Sequence, residues 1–276
     1  MPDPRDPITI PTPAALRNLA ERAARRAGDH LCERFGNAGQ VDLKGAIDLV
    51  TEADHAAEEL VVSTIRSERP GDAVLAEERG ADGGAAGDAG VRWIIDPLDG
   101  TTNFARSFPM FAVSVGAELR GELVAGAVHV PMLGEMFTAA RGGGATLNGA
   151  PIRVSTTPRL ERAFLATGFP YYIRTNPDNN LDHFARFATR ALAIRRAGAA
   201  ALDLAYVACG RFDGFWELRL KPWDLAAGAL LVREAGGRLS EIDGGTFCLI
   251  TAGVCVSNGL IHDEMLAVLQ LARART

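Results

Sequence analysis

The residues best suited to chemistry lie in the stretch Trp93-Ile-Ile-Asp-Pro-Leu-Asp-Gly-Thr-Thr-Asn-Phe104. The apolar run Val91 to Ile95 is short enough for a buried strand, which would deliver the Asp96 carboxylate to the rim of a sheet. Pro97 sets the next turn so that Asp99 returns to the same side, with the Leu98 carbonyl between them. Oxygens converging from so short a segment suit a hard divalent cation such as Mg²⁺, which takes oxygen ligands in tight octahedral geometry. Gly100 lets the backbone approach a ligand closely, and Thr101-Thr102 would present N–H groups at a helix start, a cradle for phosphate. Without a ligand, the same string is a strand, a proline turn and an acidic helix cap.

The other acids are weaker signals taken singly. Asp54 reads as the N-cap of a helix, and so does Asp224 after Lys221-Pro222-Trp223. Glu77-Glu78 precedes a glycine-rich loop and reads as solvated. Glu217 lies on a strand beside Trp216, where a carboxylate needs a partner or a ligand.

These groups require elements to carry them. Thr12-Pro13 marks a helix start, with Leu16, Leu19, Ala20, Ala23, Ala27 and Leu31 at helical spacing and Gly36 at the end. A second helix is predicted from Asp54 to about Arg66, then a short apolar run, Ala73 to Ala76. Gly80 to Gly90 is almost wholly Gly, Ala and Asp, and reads as a mobile surface loop. Alternation from Phe111 to about Val154, with turns at Arg120-Gly121, Leu133-Gly134 and Asn148-Gly149, predicts antiparallel hairpins. Beyond Ser155 the pattern becomes strand (Phe164 to Thr167), helix (Asp182 to Ala191), helix (Ala199 to Cys209), strand (Phe212 to Leu218) and helix (Asp224 to Ala235). Two αβ subdomains follow, residues 1–150 with the antiparallel sheet and metal motif and 151–276 completing a site in the cleft between them.

Composition narrows the function. With 276 residues, 47% of them hydrophobic, the chain can bury a large core. The formal net charge is −5, and no Lys/Arg-rich stretch stands out, so neither a nucleic-acid nor a membrane-surface partner is expected. Arg25-Arg26 and Arg195-Arg196, set among Ala, read as solvated helix faces. Cys32, Cys209, Cys248 and Cys255 show no CxxC spacing and read as buried reduced thiols of a cytoplasmic protein. The histidines form no metal-binding pair, which argues against zinc. No apolar stretch approaches the ~20 residues of a membrane span.

Taken together, Asp48-Leu-Val-Thr-Glu-Ala-Asp54, Ala76-Glu-Glu78, Asp96-Pro-Leu-Asp-Gly-Thr-Thr-Asn103 and Trp223-Asp224 followed by Ala227-Gly228 resemble the inositol monophosphatase family. The resemblance runs from Lys44 to about Asn258. It implies an α+β fold, the layered αβαβα sandwich of the sugar-phosphatase type, a homodimer, two or three Mg²⁺ ions and inhibition by lithium. Carried over, Glu77, Asp96 and the Leu98 carbonyl would hold one ion, and Asp96, Asp99 and Asp224 a second, with Glu77 touching a weaker third. Glu77 and Thr101 would orient the attacking water, with Asp54 supporting Thr101. Gly100 and Thr101 N–H groups would grip phosphate, and Lys44 would be the family's loop lysine.

For the ester itself, Arg196 to Glu217 resembles the inositol-type members. That likeness has Asp99, the Ala200 backbone and Glu217 reading substrate hydroxyls, although Phe169 and Lys221 stand where the animal enzymes carry serine and histidine. A small phosphorylated polyol is the expected partner, myo-inositol monophosphate first, with histidinol phosphate and fructose 1,6-bisphosphate as rivals. Two other classes would leave different marks. A haloacid-dehalogenase phosphatase would need an Asp-x-Asp spacing near the start of the chain, and a non-catalytic binding protein predicts eroded ligands.

Overall fold

In a computed structural model of the chain, the described residues are 10–36, 41–43, 49–82 and 90–273. Helix α1 (Pro13–Arg34) opens where the Thr12 hydroxyl accepts the Ala15 N–H at 3.2 Å and buries the stripe Leu16, Leu19, Ala20, Ala23, Ala27 and Leu31. Strands β1 (Val41–Leu43) and β2 (Leu49–Thr51) pair antiparallel, and α2 (Glu52–Glu68) follows directly. Because α2 starts at Glu52, Asp54 lies inside its first turn and is not the N-cap. Strand β3 (Ala73–Ala76) hairpins back into β4 (Gly80–Asp82), so the expected surface loop begins as a strand. The remainder of that loop, 83–89, lies outside the described residues, as does Lys44.

Strand β5 (Val91–Asp99) does not stop at Asp96. It continues through Pro97, and its register with β6 (Ala112–Leu119) shifts between Asp96 and Asp99. The expected turn is an irregularity within the strand, a place where proline's missing N–H costs no ladder bond. Helix α3 (Thr101–Ala105) follows. Then come β7 (Glu122–Val130), β8 (Glu135–Ala140), β9 (Gly144–Leu147) and β10 (Ala150–Pro151). The anticipated hairpin turns are present, with positive φ at Arg120 (55°) and Gly121 (82°), and at Asn148 (49°) and Gly149 (80°). These strands form an eight-stranded sheet ordered β10-β9-β8-β7-β6-β5-β3-β4, parallel between β3 and β5 and otherwise antiparallel.

The second half contains β11 (Phe164–Thr167), α4 (Leu181–Ala188), β12 (Ala193–Arg195), α5 (Ala200–Ala208), β13 (Gly214–Leu218) and α6 (Pro222–Glu234). It closes with β14 (Arg238–Glu241), β15 (Gly253–Ser257) and α7 (His262–Arg273). Its five-stranded sheet runs β12-β11-β13-β15-β14. The Arg195-Arg196 pair is not a helix face, since Arg195 ends a strand.

The layers stack as helix, sheet, helix, sheet, helix. Helices α1 and α2 cover one face of the large sheet, α5 and α6 lie between the sheets, and α4 and α7 cover the far side. Trp93 and Ile95 pack toward α1 and α2, while Ile94 joins the cluster of α5 and α6, the alternation that a doubly covered strand demands. Helix α6 sits almost on the backbone of the large sheet. A Cβ at Gly116 would lie 2.7 Å from Ala226 Cβ, and one at Gly126 would lie 3.0 Å from Ala227 Cα. The four cysteines are not all buried: Cys255 is, but Cys32 and Cys248 are exposed. Cys32 falls one position past the buried Leu31, off the α1 stripe, and Cys248 lies in the β14–β15 connection.

Candidate active site

The end of β5 supplies one wall of the site. Leu98 N–H donates to Asp96 Oδ1 at 3.0 Å, which fixes that carboxylate against its own strand. Gly100 has φ 98°, and a Cβ there would approach Met110 O to 3.0 Å, so glycine is required for the chain to enter α3. Thr101, the first residue of α3, donates its hydroxyl to Leu98 O at 3.1 Å and lies 3.4 Å from Asp54 Oδ2, a long contact. Glu77 is the first residue after β3. Its N–H donates to Ile95 O at 3.2 Å, which places it beside Asp96 across the parallel strand pair.

The opposite wall comes from the second half. At the start of α5, Ala200 and Ala201 N–H groups donate to the two oxygens of Asp99 at 3.1 and 2.7 Å. Asp224 is not the N-cap of α6, as expected from the sequence, but its third residue. Lys221 holds the cap, and Asp224 Oδ2 accepts the Lys221 N–H at 2.6 Å in a capping box, because Pro222 takes the first helical position. Glu217 projects from β13. Asn103 ties the walls together by donating to Met110 O at 2.6 Å and Ala197 O at 2.8 Å.

Glu77, Asp96, Leu98, Asp99, Gly100, Thr101, Ala200, Glu217 and Asp224 all line one cavity of about 360 Å³, the size of a small-molecule site. Asp54 stands behind it, acting on Thr101. Arg196, Lys221, Phe169, Tyr171, Tyr172 and Arg219 also face the cavity. Arg219 and the two tyrosines carried no sequence signal, since a rim of exposed side chains has no characteristic spacing.

Packing carboxylates this closely is electrostatically costly. Burial, then repulsion from Glu77, Asp99, Asp224 and Asp54, pushes Asp96 well above the usual carboxylate range. Asp99 is raised to about 7 by burial and by Asp224, against the lowering effect of the α5 N–H groups. Asp224 is raised by burial to about 6, with the Lys221 N–H and charge opposing, and Glu217 by burial, Asp224 and Asp99 to about 8, with Arg196 opposing. Asp99 and Asp224 are turned onto backbone N–H groups, and among the described residues no three acidic, His or Cys side chains already converge in ligating geometry. The donor set is nevertheless all oxygen, anionic and mutually repelling, which fits a hard divalent cation.

The chain matches the inositol monophosphatase family over residues 13–274. It belongs to that family. The inositol-1-monophosphatase of Mesorhizobium japonicum is 44% identical over 255 residues, covering 92% of this chain and 95% of its own. A protein of Escherichia coli called Nus factor SuhB is 44% identical over 254 residues, covering 91% and 94%. Among solved structures, the inositol monophosphatase of Anabaena superposes with a TM-score of 0.85 at 40% identity over 94% of this chain and 96% of its own. The extragenic suppressor protein suhB of Bartonella henselae gives 0.87 at 41% over 93% and 98%. Membership in the inositol monophosphatase family supports phosphatase activity on a small phosphorylated substrate, in a family that generally uses divalent metal ions. Among the described residues no helix is long and apolar enough to cross a membrane.

Proposed function

We propose that the chain is a Mg²⁺-dependent phosphomonoesterase that hydrolyses myo-inositol monophosphate to inositol and inorganic phosphate. The observation carrying this reading is the single cavity in which Glu77, Asp96, Asp99 and Asp224 crowd together beside the Gly100-Thr101 backbone and Glu217. In the proposed roles, Glu77, Asp96 and the Leu98 carbonyl hold one ion. Asp96, Asp99 and Asp224 hold a second, and Glu77 touches a weaker third. When bound, the ions neutralise phosphate charge and make water a stronger acid.

The chain's own groups do the positioning. Thr101 Oγ1, held by Leu98 O and backed by Asp54, points the attacking water at phosphorus, and the Glu77 carboxylate takes its proton. Gly100 and Thr101 N–H groups bind phosphate oxygens. The water oxygen bonds to phosphorus as the bond to the polyol oxygen breaks, the leaving oxygen takes a proton from solvent water, and no side chain becomes covalently modified. Glu217 accepts polyol hydroxyls at the far end of the cavity. The Ala200 N–H already donates to Asp99 Oδ1, so its contact with a substrate hydroxyl is shared with that carboxylate. We extend the reading to a cytoplasmic homodimer whose two subdomains meet at this cleft.

The test is phosphate release from inositol 1-phosphate, histidinol phosphate and fructose 1,6-bisphosphate side by side, with Mg²⁺, with EDTA and with added Li⁺. Mg²⁺-dependent, lithium-sensitive preference for inositol phosphate is expected. Preference for histidinol phosphate would overturn the substrate alone. No turnover of any ester would overturn the enzyme and favour a binding protein on this scaffold.

A further inference from the structure

Glu77 stands in a three-residue turn, Glu77 to Arg79, between β3 and β4, and a turn is a poor base for a residue that must be held to a fraction of an ångström. On one side its N–H is fixed to Ile95 O. On the other, the turn is gripped by Glu58, a residue of α2 that is only 3% exposed. Glu58 Oε2 accepts the Glu78 N–H at 2.9 Å, and Oε1 accepts the Arg79 Nε–H at 2.8 Å. Arg79 also reaches the exposed Glu59 with Nη2 at 2.8 Å and faces Asp82 with Nη1 at 3.9 Å.

Glu58 follows Asp54 by four residues, so both carboxylates leave the same face of α2. Asp54, 1% exposed, backs Thr101, and Glu58 backs the turn that presents Glu77. One helix face therefore braces both groups that flank the attacking water. A buried carboxylate that accepts a backbone N–H next to a ligand sets where that ligand points without touching the ion.

We propose that Glu58 is a positioning residue for Glu77, holding the β3–β4 turn so that the Glu77 carboxylate meets the divalent ion. This rests on the reading of Glu77 as an ion ligand. Removing such a supporting partner costs about 10–100-fold in metal affinity.

The experiment is calorimetric titration of the full chain with Mg²⁺, and with Mn²⁺ as a tighter probe, alongside melting temperature. It compares wild type, Glu58→Ala, Glu58→Gln and Glu59→Gln. Glu58→Ala is expected to weaken binding toward 100-fold, and Glu58→Gln, which keeps an acceptor for the Glu78 N–H, by about 10-fold. Glu59→Gln should bind as wild type does. If the alanine variant does not fold, the isosteric glutamine variant decides. Unchanged ion binding in Glu58→Gln while wild type binds overturns this inference alone. Absence of ion binding by wild type overturns the metal reading and this inference with it.

Discussion

Gly168 is pressed against Glu217: a Cβ on Gly168 would fall 2.1 Å from Glu217 Oε1. The carboxylate thus occupies the space a side chain would take at the end of β11. Gly168→Ala should push Glu217 out of its position and raise KM for inositol 1-phosphate by about 10-fold or more, the cost of leaving one buried polar group without its hydrogen bond. Glu217→Gln should do the same, and neither should change turnover of a generic aryl phosphate. Equal losses on both substrates would make Glu217 a structural residue.

Asp99 accepts two backbone N–H groups, one on each oxygen. In Asp99→Asn the amide nitrogen must face one of them, so Tm is expected to fall by about 2–4 °C, the shift of roughly 1 kcal/mol in a chain of this size. Turnover should fall by more than about 100-fold, beyond the range typical of groups one step removed from a ligand. A folded variant that still turns over at saturating Mg²⁺ would refute the assignment of Asp99 as an ion ligand.

The glycines under α6 carry a stability prediction. Gly126→Ala places a methyl 3.0 Å from Ala227 Cα, and Gly116→Ala one 2.7 Å from Ala226 Cβ. Each should destabilise the fold by about 1–3 kcal/mol, the usual cost of overpacking. Because Asp224 rides on the same helix, apparent Mg²⁺ affinity should weaken in parallel. Urea melts and Mg²⁺ titrations check both, and wild-type stability in either variant would show that the helix has room to move.

His262 is wholly buried, its ring nitrogens 2.9 Å from the hydroxyls of Ser240 and Ser257. Burial, with Arg238 adding and Asp263 opposing, lowers its pKa to about 4. The folded state then binds fewer protons than the unfolded chain between pH 6.5 and 4, so this contribution is complete above pH 6.5 and declines as pH falls. At pH 5 the expected loss is roughly 2 kcal/mol. Comparing urea midpoints at pH 7.5 and 5 for wild type and His262→Gln checks it: the variant should lose less stability on acidification, and an identical slope would rule the histidine out.

Much of this was legible in the chain itself. The Thr12-Pro13 start and the turns at 120–121 and 148–149 depend on local chemistry, an N-cap and residues that tolerate positive φ, which neighbours in sequence suffice to specify. The string from Trp93 to Phe104 is likewise local, and so its carboxylates were found. Strands β12, β14 and β15 are short runs that become strands only through pairing, so spacing alone does not mark them, whereas α7, absent from the expected elements, does carry a local helical pattern in Met265, Leu266, Val268 and Leu269. The caps read at Asp54 and Asp224 were displaced because each helix begins earlier. Glu58 had one signal, its four-residue spacing from Asp54. Asp203 had none: it is buried in α5 and raised far above the carboxylate range by burial and then by Glu217 and Asp99, a relationship visible only in three dimensions.

Asn103 has a consequence for traffic through the cleft. Its amide nitrogen donates both to Met110 O on its own side and to Ala197 O on the other, three residues before the N–H groups that grip Asp99. Two walls tied by this amide, and by the buried contacts of Asp99 with Ala200 and Ala201, cannot part like jaws without breaking those bonds. The arrangement predicts passage over the lip, past Tyr171, Tyr172 and Arg219, where side-chain rotation on the nanosecond scale suffices and no slow hinge motion is needed. Amide hydrogens of Ala200 and Ala201 that stayed slow to exchange during turnover would bear this out, and their release would reveal a hinge.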